Sequence, residues 1–271
     1  MESTTTSAGT EDGRRVATAQ LLEEGWCVVP GMLSAEEAAG VLERLWAAAA
    51  EFRRRGRETH MAHLDPNASN VRVFELLDID PVFRDLIRRP AALELVRTLL
   101  GPDFMISNFT ANIARPGSGS MSLHSDQALV VPEPWLEPWS INVIWCLTDV
   151  YFENGATLFI PGSHRVTRLS GLGPEPAARL RPFEAKAGSV IAMAGRPWHP
   201  SGANVTADQG RALLFGYYSR SFLRPQVNWN VVLSPEVRQG LDSELRGLLG
   251  LEARANTGVG ARLLAADLGR R

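Results

Sequence analysis

The hydrophobic pattern of the chain changes character near Gly101. Before it, apolar residues recur at helical spacing. Beyond it, short apolar or alternating runs are separated by turn residues, the signature of β-strands. In the first part, Val16–Glu24 reads as a short helix and Trp26-Cys27-Val28-Val29 as a strand closed by Pro30-Gly31. Ser34 and Glu37 are spaced as a capping box and open a helix that runs to about Phe52, with Leu42, Leu45 and Trp46 at helical spacing. Gly56–Asn70 has no period. Asp80-Pro81 starts another helix, Arg89-Pro90 interrupts it, and Leu93, Val96, Leu99 and Leu100 carry its apolar face to Gly101.

In the second part, Phe104–Ala114, Ile141–Leu147, Ala156–Ile160, Ser189–Ala194 and Arg211–Arg220 read as strands, the last with Leu213, Phe215 and Tyr217 on one face. Asn154-Gly155 marks a tight turn, Leu169–Arg181 a loop, and Ser234-Pro235-Glu236 the start of a C-terminal helix. Helices followed by many short strands predict an α+β domain built around a β-sandwich or barrel. No internal repeat or linker divides it. A single domain is expected over residues 16–271, with its β core at about 104–233. Met1–Arg15, rich in Ser and Thr, reads as a disordered tail.

Composition narrows the class. The chain has 271 residues, 45% hydrophobic and 21% charged, which is ordinary for a globular protein. A net charge of −2 provides no field that would recruit nucleic acid or an anionic membrane. Two cysteines, Cys27 and Cys146, are too few for a disulfide scaffold or a cysteine-based zinc site. No run reaches the roughly 18 apolar residues of a membrane span, so the expected location is cytoplasmic. The basic run Arg53, Arg54, Arg55 and Arg57 reads as a solvated helix end, with an anionic-substrate contact as the alternative.

The chemistry centres on Met121-Ser122-Leu123-His124-Ser125-Asp126-Gln127. On a strand, residues i and i+2 share a face, so His124 and Asp126 can hold one metal ion. The chain has five histidines. His199, in a turn after a strand, is the preferred third ligand. His164, in Pro-Gly-Ser-His-Arg, is the alternative, read as structural. His60 and His63 lie in the patternless segment and read as an exposed loop or a pocket rim. Two nitrogens and a carboxylate form a facial triad that leaves coordination positions open and suits Fe(II), with zinc as the competing metal. Arg211 begins the strand that follows His199. A guanidinium there can grip a carboxylate in bidentate fashion, as a dicarboxylate such as 2-oxoglutarate would require. The Pro- and Trp-rich loop Val131–Trp139 follows the ligands directly and is expected to line or cover a substrate pocket; packing of Trp135 and Trp139 in the core is the alternative.

These residues, in order, resemble the phytanoyl-CoA dioxygenase family of Fe(II)/2-oxoglutarate-dependent oxygenases. The resemblance rests on His124-Ser125-Asp126, Asn154-Gly155-Ala156-Thr157, Pro161-Gly162-Ser163-His164-Arg165, and Trp198-His199-Pro200-Ser201-Gly202-Ala203-Asn204 followed by Arg211. It also includes the opening Gly25–Gly31 before the Ser-capped helix. It implies a double-stranded β-helix, or jelly roll, flanked by N-terminal and C-terminal helices. It further implies His124, Asp126 and His199 as iron ligands and Arg211 as the 2-oxoglutarate clamp. Thr157, Ser201 and Trp145 match positions near that cosubstrate, and Asn108 and Asn142 add amide contacts. Gln127, Trp135 and Trp139 are expected against the substrate.

The implied reaction consumes O2 and 2-oxoglutarate, releases succinate and CO2, and oxidises a C–H bond of a small, hydrophobic natural-product intermediate. The outcome is hydroxylation or, by a different fate of the substrate, desaturation, cyclisation or epimerisation. Asp126 argues against halogenation, because related halogenases lack that carboxylate. High Ala, Arg and Gly content suggests a bacterial source. A non-oxidative cupin-like isomerase or hydrolase is the alternative function, and Arg211 discriminates against it. Oligomeric state, monomer or homodimer, is left open.

Overall fold

The computed structural model describes residues 11–252. Four helices pack on one face of the main sheet: α1 (Glu11–Glu24), α2 (Ala35–Arg54), α4 (Pro81–Ile87) and α5 (Pro90–Leu100), with the single turn α3 (Leu76–Ile79) between α2 and α4. The α2 start is as its sequence dictates. Ser34 accepts from the Glu37 N–H and Glu37 accepts from the Ser34 N–H, a complete capping box. Helix α1 begins at Glu11, so the tail expected to reach Arg15 is already helical over its last five residues; residues 1–10 lie outside the described part. Periodicity missed this extension because Glu11–Arg15 is polar. Ala17 and Leu21 dock the helix into the core instead.

The main sheet has six antiparallel strands in the order β1-β7-β4-β8-β3-β2. They are β1 (Trp26–Val29), β2 (Asn70–Val73), β3 (Phe104–Ala114), β4 (Ser140–Cys146), β7 (Val190–Ala194) and β8 (Arg211–Arg220). A facing layer is formed by β5 (Leu158–Phe159) with β6 (Arg181–Pro182) and by isolated bridges at Val150–Ala185, Asn154–Asn204, Thr157–Ser201 and His124–His199. This is the double-stranded β-helix with flanking helices. After the short helix α6 (Trp229–Val232), two short helices, α7 (Pro235–Gly240) and α8 (Ser243–Leu248), replace the one expected after Ser234, since the run is broken at Gly240-Leu241. None of the described helices is long and apolar enough to cross a membrane.

Every residue of β4 is buried because both faces of the sheet are covered. Period-two alternation then assigns each side chain to one of two cores. Val143 and Trp145 join the core under the helices, whereas Ile144 and Cys146 join Phe159, Phe183, Ile191 and Met193 between the layers. Burial pushes both cysteine thiols up to about 12, so they remain protonated packing groups. Three arginines of the run at the end of α2 pair with acids: Arg54 and Arg55 with Glu51, Arg55 also with Asp78, and Arg57 with Glu75.

The turn into β7 has no room for a side chain. Gly188 has φ +83°, its carbonyl accepts the Leu33 N–H at 2.9 Å, and a Cβ there would lie 2.3 Å from the Leu33 carbonyl oxygen. Gly188→Ala is therefore expected to destabilise the protein by more than ~1 kcal/mol, read as a lower urea midpoint at unchanged m value.

Candidate active site

The ligand segment carrying His124 and the turn carrying His199 are stitched together by their backbones. The His124 N–H donates to the His199 carbonyl at 3.0 Å, and the His199 N–H donates to the His124 carbonyl at 2.8 Å. The two rings consequently lie with centroids 4.4 Å apart. Each Nδ1 faces the carbonyl two residues back, His124 that of Ser122 at 2.8 Å and His199 that of Pro197 at 3.0 Å. A carbonyl only accepts, so both rings carry their proton on Nδ1 and turn a bare Nε2 inward. Asp126 completes the group. Its Oδ1 lies 3.6 Å from His124 Nε2 and 3.8 Å from His199 Nε2. Among the described residues these three form the metal-binding cluster, with ligand atoms within 4.8 Å of one another. Burial is the main cause of the lowered His199 pKa, with Asp126 opposing it, and the neutral ring is the form a metal binds.

Asn142 on β4 donates from Nδ2 to Asp126 Oδ2 at 2.9 Å, which leaves Oδ1 to face the histidines. Asn142 also lines the cavity in front of the cluster, and its amide oxygen Oδ1 has no partner. Ser125 and Gln127 fasten the segment from behind: Ser125 Oγ and the Gln127 N–H both donate to the Gly195 carbonyl.

A cavity of about 240 Å³ opens in front of the cluster. Arg211 stands in its wall and is fully buried. Its Nη2 donates to Asn112 Oδ1 at 2.8 Å, while Nε and Nη1 have no partner. No described carboxylate pairs with it. Burial, aided by nearby Arg72, lowers its pKa to about 10, which still leaves it charged at neutral pH. Thr157 and Ser201, bridged to each other, also line the cavity, and Ser201 Oγ accepts the Met121 N–H. Asn108 lines it as well, but at the edge, where its Nδ2 donates to Gln226 Oε1.

Four expected site residues lie elsewhere. Trp145 faces the helix-side core, because its odd register on β4 points away from Asn142 and Ile144. Gln127 is buried and grips the following loop: its Nε2 donates to the Glu137 carbonyl and its Oε1 accepts the Trp139 N–H. Trp135 packs edge-on against Trp198 at 6.0 Å and donates from Nε1 to the Val131 carbonyl; Trp139 packs on Phe222. The loop was read as pocket lining because it follows the ligands, but its tryptophans build a separate small core with Ile160 and Leu172. His164 lies away from the cluster, with Nε2 on the Glu23 carbonyl, and His60 bonds the Asp65 carbonyl.

Conversely, Arg72, Thr110, Asn112 and Gln226 line the cavity and were not anticipated. Thr110 and Asn112 follow Asn108 at i+2 and i+4 on a strand whose bounds were legible. Arg72 sits in a four-residue strand too short to show a period, bound to Asp65 at 2.6 and 2.9 Å.

This fold and donor set define an Fe(II)/2-oxoglutarate-dependent oxygenase. The chain belongs to the phytanoyl-CoA dioxygenase family, whose profile matches residues 21–212. It is 49% identical over 235 residues to dioxygenase af480 of Aspergillus fumigatus, covering 87% of this chain and 76% of that protein. Among solved structures, the non-heme alpha-ketoglutarate-dependent epimerase SnoN from nogalamycin biosynthesis matches with TM-score 0.64 at 21% identity, covering 81% of this chain and 87% of that one. The carbocyclase SnoK from the same biosynthesis matches with TM-score 0.63 at 24% identity, covering 85% and 94%. At these identities the two structures speak to the fold.

Two outcomes test the placements. Asn142→Ala should weaken metal binding roughly 10- to 100-fold, measured by anaerobic metal titration. Trp135→Ala should lower the unfolding free energy by ~3 kcal/mol in thermal or urea melts, while 2-oxoglutarate affinity stays near that of the wild type.

Proposed function

We propose that His124, Asp126 and His199 hold the iron, that Arg211 holds the far carboxylate of 2-oxoglutarate, and that the enzyme oxidises an unactivated C–H bond of a small apolar natural-product intermediate. The observation that carries this reading is Arg211. A buried guanidinium with two unpaired nitrogens costs several kcal/mol unless an anion meets it. It lines the same cavity as a three-ligand cluster that leaves metal positions open. A dicarboxylate bound to the metal at one end and to Arg211 at the other satisfies both. The dioxygenase name of af480, and the alpha-ketoglutarate dependence named for the epimerase SnoN and the carbocyclase SnoK, support the assignment.

Held by His124, Asp126 and His199, an iron ion would supply, with O2 and 2-oxoglutarate, the oxidant for the C–H bond, with succinate and CO2 as coproducts. The chain supplies position. The two Nδ1–H···O=C contacts hold the imidazoles in one tautomer, and Asn142 holds Asp126 so that one oxygen serves the metal. Thr157 and Ser201 hydroxyls stand beside the cosubstrate path. Phe74, Ile144, Met193 and Phe215 form an apolar part of the wall and limit the water that reaches the reacting centre. As the third ligand, Asp126 would leave no carboxylate-free position for a halide, which favours C–H oxidation without halogen transfer.

Anaerobic addition of 2-oxoglutarate to the Fe(II) protein is expected to produce a weak visible charge-transfer band. Arg211→Ala should raise the concentration needed for that band by at least ~30-fold, the equivalent of ~2 kcal/mol. A wild-type protein without the band, or an Arg211→Ala protein with an undiminished one, would sink the assignment.

A further inference from the structure

The cavity edge carries a second polar constellation, on the same sheet as Asn142 but two strands away. Strand β3 has a bulge between Ile106 and Asn108. Bulges kink a strand and redirect the next side chain. Here the displaced Ser107 captures the segment after β8: the Gln226 N–H donates to Ser107 Oγ at 3.0 Å and the Val227 N–H to the Ser107 carbonyl at 3.1 Å. This pins Gln226 over Asn108, and their amides meet at 3.1 Å, Asn108 Nδ2 donating to Gln226 Oε1. Asn108 Oδ1 and Gln226 Nε2 are left as one acceptor and one donor at the cavity edge. Together they match a hydroxyl, which can satisfy both, or a carbonyl, which takes the donor.

The register places this pair relative to the chemistry. Asn108 lies across from Tyr217, and Tyr217 across from Asn142, the residue that holds Asp126. Two strand spacings of ~4.8 Å put the amide pair roughly 10 Å from Asn142. Asn112, the partner of Arg211, is four residues further along β3, about 13 Å away. The pair therefore serves neither the cosubstrate clamp nor the metal.

Charge completes the argument. The charged side chains of the cavity are the metal cluster, Arg211 and Arg72. Arg72 is already bound through two hydrogen bonds to the buried carboxylate of Asp65. With metal and 2-oxoglutarate in place, no free charge is left to meet a charged substrate. Exposed Leu64 and Leu129 flank the opening, and Phe74 lies further in.

We infer that the substrate is a neutral, largely apolar molecule. Its hydroxyl or carbonyl docks on Asn108 and Gln226, and the carbon to be oxidised reaches from there towards the metal cluster. This rests on the iron and 2-oxoglutarate reading above and extends it: Asn108, expected as a cofactor contact, becomes a specificity-determining residue.

The test uses the full chain loaded with Mn(II) and 2-oxoglutarate, whose own affinities are measured first by calorimetry. The probes are 2-decalol and 2-decalone, with decalin-2-carboxylate and 2-aminodecalin as charged analogues, followed by saturation-transfer NMR. The neutral probes should bind at least roughly tenfold more tightly than either charged analogue. Asn108→Ala and Gln226→Leu should each weaken 2-decalol roughly 5- to 10-fold while Mn(II) and 2-oxoglutarate affinities hold. Gln226 is exposed, so its replacement leaves the fold intact even if Asn108→Ala does not. Equal or tighter binding of a charged analogue, no binding of either neutral probe, or a Gln226→Leu protein that binds 2-decalol as the wild type does would overturn the inference. Failure of the wild type to take up 2-oxoglutarate would instead strike the cofactor reading.

Discussion

The site depends on a pair of reciprocal backbone hydrogen bonds. His124 and His199 are 75 residues apart in the chain, and their segments are also tied by Ser125 and Gln127 to the Gly195 carbonyl and by Met121 to Ser201. Their N–H and carbonyl groups exchange two bonds across the open edge of the facing layer, and the two rings follow. Because the bonds are backbone bonds, the spacing of the imidazoles is set by strand geometry and not by side-chain freedom. Antiparallel bridges also join Thr157 to Ser201, through the Leu158 N–H on the Pro200 carbonyl and the Gly202 N–H on the Ala156 carbonyl, and Asn154 to Asn204. The facing layer is little more than this ladder of bridges, and the metal cluster sits at one of its rungs.

The second determinant is electrostatic. An arginine buried at the start of β8 would be a liability in a protein that met no anion there. Its hydrogen-bond partner, Asn112, is neutral and leaves the charge uncompensated. Arg72, the nearby second cation, shows the contrast, since the chain gives it a buried carboxylate of its own. The difference between a cation that is neutralised internally and one that is not separates a structural residue from a ligand-seeking one.

Much of this was legible along the chain. Strand β3 and the helices at Ser34, Asp80 and Pro90 follow from caps, prolines and period, which are local signals. The His-x-Asp pair, His199 and Arg211 stood out because few residue types do that chemistry. What failed was facing. Trp145 was assigned to the site by its place on the right strand, but only the register of β4 against β7 and β8 shows that it points to the other core. Trp135, Trp139 and Gln127 were assigned by proximity in sequence, whereas their partners, such as Trp198 and Glu137, are known only once the loop closes. Gln226 carried no local signal at all; its role arises from a bulge in a strand more than a hundred residues earlier.

The grip of Gln127 on its loop has a further implication. Its backbone carbonyl holds the Val131 N–H, its side chain holds both Glu137 and Trp139, and its own N–H is anchored on Gly195. Both ends of the segment between are thereby clamped to one residue directly behind Asp126. Changes in length or composition within the clamp need not propagate to the metal ligands. The loop thus behaves as an exchangeable cassette, a natural position for grafting in enzyme design and for divergence between paralogues that keep a common iron centre.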